Sequence, residues 1–269
     1  NKKNTSAADN TAVGYQAAIS TTTGANNTVI GRKALYTNTT GDNNVAAGFN
    51  SMFFNTTGGD NSAFGVNALQ ANTTGNYNTA VGRKALLTAT TAERNVAVGV
   101  EALNSTTTGS YNTAMGYQAA YENTTGRNTA IGYVSLYNNS TGTNNTALGD
   151  SAMFFNPPSS DNTAVGYASL LDNTTGTRNV AVGYSALANN TTATTNVAVG
   201  YKAGEGITTG AYNVVVGAES MMVTMTGSDN TACGYGTMQV NTSGEDNTAM
   251  GNRALFDNTT GSYNVAVGS

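Results

Sequence analysis

Asp229 and Asp246 stand seventeen residues apart, with Glu245 beside the second. If that interval is one structural turn, three carboxylates fall in adjacent corners. The chemistry they would offer is Ca²⁺ ligation through oxygen. The Gly-Gly-x-Gly-x-Asp pattern of calcium-binding repeats is missing, so solvated corner acids are the simpler reading and no metal is assigned. Tyrosine recurs at nearly the same interval, at Tyr117 and Tyr133 and again at Tyr167, Tyr184 and Tyr201. Such a column can stack on sugar rings, or it can pack rung on rung or against another chain. Met52-Phe53-Phe54 and Met153-Phe154-Phe155 add two aromatic pairs. One member of each pair, Phe53 or Phe54 and Phe154 or Phe155, is expected to point outward.

Histidine is absent and Cys233 is the single cysteine. Ser-His-Asp and Cys-His nucleophiles, zinc ligand sets and a phosphate loop are therefore all missing. The chain reads as a non-enzyme with no cofactor. Its 11 basic residues are scattered among 15 acidic ones, for a net charge of −4. Nucleic-acid binding needs clustered Lys and Arg, so it is set aside. Arg32, Lys33, Arg83, Lys84, Lys202 and Arg253 are read as solvated surface groups. Apolar runs are only a few residues long, which gives no membrane insertion in this segment.

A repeat is what would position these side chains. Asn-Thr/Val-Ala-apolar-Gly begins at Asn10, Asn27, Asn44, Asn61 and Asn78 and continues to Asn264, sixteen copies in all. The step is seventeen residues, except for sixteen between Asn112 and Asn128. The full unit reads Asn-Thr-Ala-Val-Gly-Tyr-x-Ala-Leu-x-x-Asn-Thr-Thr-Gly-x-x, numbered here from one to seventeen. Glycine holds position five throughout, from Gly14, Gly31, Gly48, Gly65 and Gly82 onward. Fixed short periods mark solenoids, in which one unit is one coil. Gly, Asn and Thr are poor helix formers, and Thr/Val alternating with Ala/Gly has the period of a strand.

The expectation is an all-β parallel β-solenoid, a β-roll of about sixteen coils with two short strands and two turns in each. Two parallel sheets and a single repeat domain over residues 1–269 follow. Asn at position one should form an amide ladder between coils, and Thr at thirteen and fourteen hydroxyl ladders. Position four, which includes Cys233, is expected to face inward. Position three Ala and position five Gly then lie on the other face. A strand with no polar face should be covered on both sides. A second chain is the natural cover, which predicts a homo-oligomer.

Asn4–Asp9 matches positions twelve to seventeen of a preceding unit, and Ser269 falls at position six of the last. The solenoid is thus expected to be uncapped at both ends and a segment of a longer fibre. Asn-x-Ser/Thr sequons are frequent; they are read as a by-product of the turn in a bacterial or viral protein.

The string Asn-Thr-Ala-Val-Gly-Tyr-x-Ala-Leu resembles the head repeats of trimeric autotransporter adhesins and the repeats of bacteriophage tail fibres. The resemblance covers residues 4–269. It implies a left-handed β-roll, a parallel homotrimer, and an extracellular location on a cell surface or virion tail. The resulting expectation is a structural fibre or adhesin shaft that presents multivalent surfaces to a host-surface glycan or protein. Tyr117, Tyr133, Tyr167, Tyr184, Tyr201, Phe53 and Phe154 are the candidate contact residues. Threonine columns at positions two, thirteen and fourteen raise an alternative, an ice- or crystal-surface-binding solenoid. A purely mechanical extracellular filament is a third reading.

Overall fold

A computed structural model describes residues 8–269. Residues 4–7 of the partial first coil lie outside that range. The chain divides into two compact units, Asn1–Tyr133 and Val134–Ser269. Strands β1 (Thr11–Val13) and β2 (Thr28–Ile30) through β8 (Thr129–Ile131) belong to the first. The second holds β9 (Thr146–Leu148) through β16 (Val265–Val267). Within each unit the strands pair in parallel and in chain order. Register is unslipped: Thr11 faces Thr28 and Val13 faces Ile30, and Thr163 faces Val180 in the second unit. The protein is an all-β parallel β-solenoid, with no helix among the described residues.

Each coil contributes one three-residue strand, so each unit has one sheet rather than the expected two. The rest of the coil is held differently. Positions seven and nine take the left-handed conformation, as in Lys33 (φ 55°) and Leu35 (φ 48°). Left-handed residues cannot continue a strand. Their main chain still bonds between coils: the Lys33 N–H donates to the Tyr15 carbonyl and the Leu35 N–H to that of Ser51, both at 2.9 Å.

The strand also faces the other way from the expectation. Position three, not position four, points into the coil. Ala46, Ala63 and Ala80 in the first unit and Ala147, Ala164 and Ala181 in the second are wholly buried. Position four is outside: Ile30 is 50% exposed, Phe64 45% and Leu148 42%. Cys233 belongs to this outward row and is only half-buried. The Ala side therefore needs no second chain, because the coil covers it. Size explains the choice. Leu35, Leu69, Leu86 and Leu103 enter the core from position nine and are fully buried. Opposite them the narrow coil takes a small side chain, Ala in most coils and Val at Val29 and Val215.

A glycine at position five of every coil, and one at position fifteen of most, bring the coils close together. At position five Gly48 has φ 143°, and a Cβ there would stand 2.3 Å from the Gly65 carbonyl oxygen. At position fifteen a Cβ on Gly41 would stand 2.3 Å from the Gly58 oxygen. No coil departs from glycine at position five, whereas at position fifteen Ala92, Ser159 and Ala193 take its place and are buried in the stack.

Where the repeat breaks, apolar groups refill it. Gly204 takes the place of Leu at position nine, and Ile207 replaces Asn at position twelve. Ile207, Met221 and Met225 are all fully buried. Ile207 bridges to Met225 in the next coil. Two of the three methionines in Met221–Met225 thus line the core.

Candidate functional site

Asn at position one links coils and closes its own. The Asn44 N–H donates to Asn27 Oδ1 (2.9 Å) and Asn61 N–H to Asn44 Oδ1 (3.1 Å). Asn27 Nδ2 donates to Gly41 O, fourteen residues along the same coil, at 3.0 Å. Asn10 and Asn78 make the same contacts. A second amide column at position twelve was hidden in the apparent turn. Asn55 Nδ2 donates to Asn38 Oδ1 (2.9 Å), and Asn72 Nδ2 to Asn55 Oδ1. Asn38 Nδ2 reaches Gly41 O as well, so one carbonyl serves both columns. Thr at position thirteen donates to the next coil's carbonyl, as Thr39 Oγ1 does to Thr56 O at 3.0 Å. Those hydroxyls are spent inside the stack. Position fourteen faces solvent at Thr40 and Thr57.

The outer surface carries three apolar features. The first is the outward sheet face. Positions two and four hold Thr, Ser, Val, Ile, Phe, Met, Leu, Ala and Cys, with no charge in any strand. Ile30, Phe64, Val81 and Met115 are exposed in the first unit, and Leu148, Val199, Val216 and Met250 in the second.

The second is the tyrosine column at position six. Tyr117 and Tyr133 stack at 5.4 Å and 11° in the first unit. Tyr167, Tyr184 and Tyr201 stack at 5.0 and 5.3 Å in the second. All five are exposed. At position seventeen Arg94 lies between Tyr77 and Tyr111, at 5.2 and 5.5 Å from their ring centroids.

The third consists of the aromatic pairs. Phe53 stacks on Tyr36 at 4.9 Å and 6°, while Phe54 meets it edge-on and is exposed. Phe154 stacks on Tyr137 at 5.3 Å, with Phe155 exposed.

Charge is sparse, and several of the charged groups are locally compensated. Glu101 meets Arg83 at 3.1 Å and Lys84 at 3.6 Å. A hydrogen bond from Gln118, reinforced by those two cations, holds its carboxyl below the usual range. Glu219 accepts the Tyr235 hydroxyl at 2.8 Å and raises that phenol's pKa. Glu205 beside Lys202 raises the ammonium's. Asp229, Glu245 and Asp246 are exposed corner residues. They do not converge: among the described residues no group of three His, Cys, Asp or Glu could hold a metal. No helix among them is long and apolar enough to cross a membrane. No protein-family model matches the chain, and no curated protein matches its sequence.

Proposed function

We propose that the chain is shaft material of an extracellular homo-oligomeric fibre that presents multivalent contact surfaces. The carrying observation is the outward sheet face, an uncharged row of Val, Ile, Phe, Met and Leu left open by a single chain. Monomeric soluble proteins rarely leave contiguous apolar patches beyond a few hundred Å². A second copy of the same chain in the same register would meet it with an equally apolar row. The likeness to trimeric adhesin heads and tail fibres supports three copies in parallel and a place on a cell surface or virion tail. In such an assembly every exposed tyrosine column is repeated on each copy. Weak contacts then add through effective concentration.

Light scattering on the purified chain tests this. Three chains per particle are expected; a well-folded monomer sinks the reading. In that case the threonines at position two, beside aliphatic groups on the same face, favour the ice- or crystal-surface reading. An ice-recrystallisation assay would then decide it.

A further inference from the structure

One place on the described surface combines a cavity, unneutralised cations and an aromatic wall. It lies in the first unit, on three consecutive coils. Arg32 and Lys33 occupy positions six and seven of the first. Phe49, Asn50, Phe53 and Phe54 come from the second. They enclose an open cavity of about 270 Å³. Arg32 lies 5.5 Å from the Phe49 ring centroid. Lys33 Nζ lies 5.6 Å from that of Tyr36 and 6.0 Å from that of Phe53. Such contacts hold a cation against a ring without cancelling its charge.

The repeat supplies its own comparison. Arg83-Lys84 fills the same two positions three coils later, and there position seven of the next coil is Glu101, which binds both cations. For Arg32-Lys33 the matching residue is Asn50. Among the described residues neither Arg32 nor Lys33 pairs with a carboxylate. The Asn50 side-chain oxygen has no hydrogen-bond partner in the chain. A second comparison lies in the other unit. The Tyr137–Phe154 stack repeats the aromatic pair, but in the sequence Asp150 and Ser151 stand where Phe49 and Asn50 do, and Tyr133 and Val134 where Arg32 and Lys33 do.

We infer that this cavity binds an anionic saccharide residue, one sugar ring bearing a carboxylate or sulfate. Arg32 and Lys33 take the anion by charge-assisted hydrogen bonds. The Phe49, Phe53 and Phe54 rings take the apolar face of the pyranose. The Asn50 amide takes a ring hydroxyl, and the volume suits a single ring. This deepens the contact function proposed above by naming a ligand class, and it rests on that reading only for its biological use.

The test is titration of the full chain, by calorimetry or NMR, with three disaccharides: one containing glucuronate, one sulfated, one neutral. Binding of either acidic probe about tenfold or more tighter than the neutral one is expected. The tighter of the two identifies the anion. Asn50→Glu copies the Glu101 arrangement and should weaken the acidic probe by about tenfold or more. Position seven already holds Glu101 and Glu219, so the backbone accepts it. Lys33→Gln should weaken binding severalfold, and Asp150→Asn should leave it unchanged. Equal affinity for neutral and acidic probes, no binding of either acidic probe at millimolar concentration, or indifference to both Asn50→Glu and Lys33→Gln overturns the inference. Oligomeric state does not enter this measurement. A monomer that binds the sugar would sink the fibre and leave the site, and a trimer that does not would do the reverse.

Discussion

The Asn61 side chain accepts from the main-chain N–H of Asn78 at 2.9 Å and donates to the carbonyl of Gly75 at 2.9 Å. One amide thus joins two coils and closes one of them. Its surroundings are dry, for Asn61 and Asn78 are almost wholly buried. Asn61→Ala strands the buried Asn78 N–H, while the Gly75 carbonyl keeps its bond from Asn72 Nδ2, so the loss should be about 1–3 kcal/mol for one unsatisfied group. Thr57→Ala, at exposed position fourteen, should stay within about 0.5 kcal/mol of wild type. Thermal or urea unfolding reads both. Comparable losses from the two would remove the ladder from its structural role.

Glycine is required at position five but not at position seven. Gly48→Ala puts a Cβ 2.3 Å from main-chain oxygen, at a φ of 143°. The coils must part or the chain must fail to stack, and soluble yield or melting temperature should drop sharply. Gly236 sits at position seven with φ 60°, where a Cβ would make only an ordinary contact at 3.4 Å with a flexible Arg253 side chain. Other coils hold Lys33 and Asn50 there in the same conformation. Gly236→Asn should therefore fold with unchanged or slightly raised stability, through the smaller entropy of the unfolded chain.

The period, the solenoid and the position-one ladder could be read from the sequence because each follows from residue identity at a fixed interval. The facing of the strand could not. Alternation divides Ala46 from Ala47 and Ala63 from Phe64 without saying which side is the interior. Hydrophobicity alone favours the larger member, and the structure buries the smaller, since Leu69 and its equivalents already fill the coil. Asn38 and Asn55 were obscured by their setting in Asn-Thr-Thr-Gly. Turn composition masked two buried amides. The Arg32 cavity depends on positions six, seven, ten and eleven meeting across coils. That juxtaposition follows from the left-handed residues at seven and nine, which no local pattern announces.

Acid should weaken the first unit partly through Glu101. Its carboxyl is held below the ordinary value of 4.5, first by the Gln118 hydrogen bond and then by Arg83 and Lys84. A depressed folded pKa adds stability above the unfolded value and loses it as pH falls through the folded one. Glu101→Gln should thus be less stable than wild type at neutral pH. The gap should close as pH drops below about 4.5. Urea midpoints measured across that range read the difference. A gap that stays constant with pH would show that the ion pairs contribute no net stability.

Neighbouring residues on one strand should separate assembly from folding. Met115 points outward and is 42% exposed, whereas Ala114 beside it is fully buried. Met115→Lys sets a charge in the apolar row, where a facing copy would have to desolvate it. The particle mass should fall toward that of one chain, while the circular-dichroism spectrum stays as in wild type. Ala114→Leu instead forces a larger side chain into a packed interior, where Ala114 and Ala120 of the same coil are both buried, at a cost of about 1–3 kcal/mol. Its melting temperature should drop while the surviving folded fraction keeps the wild-type mass. If Met115→Lys leaves the mass unchanged, the outward row is not the seam between copies. The proposed fibre would then have to be held together by another face, with the tyrosine columns next to be tested.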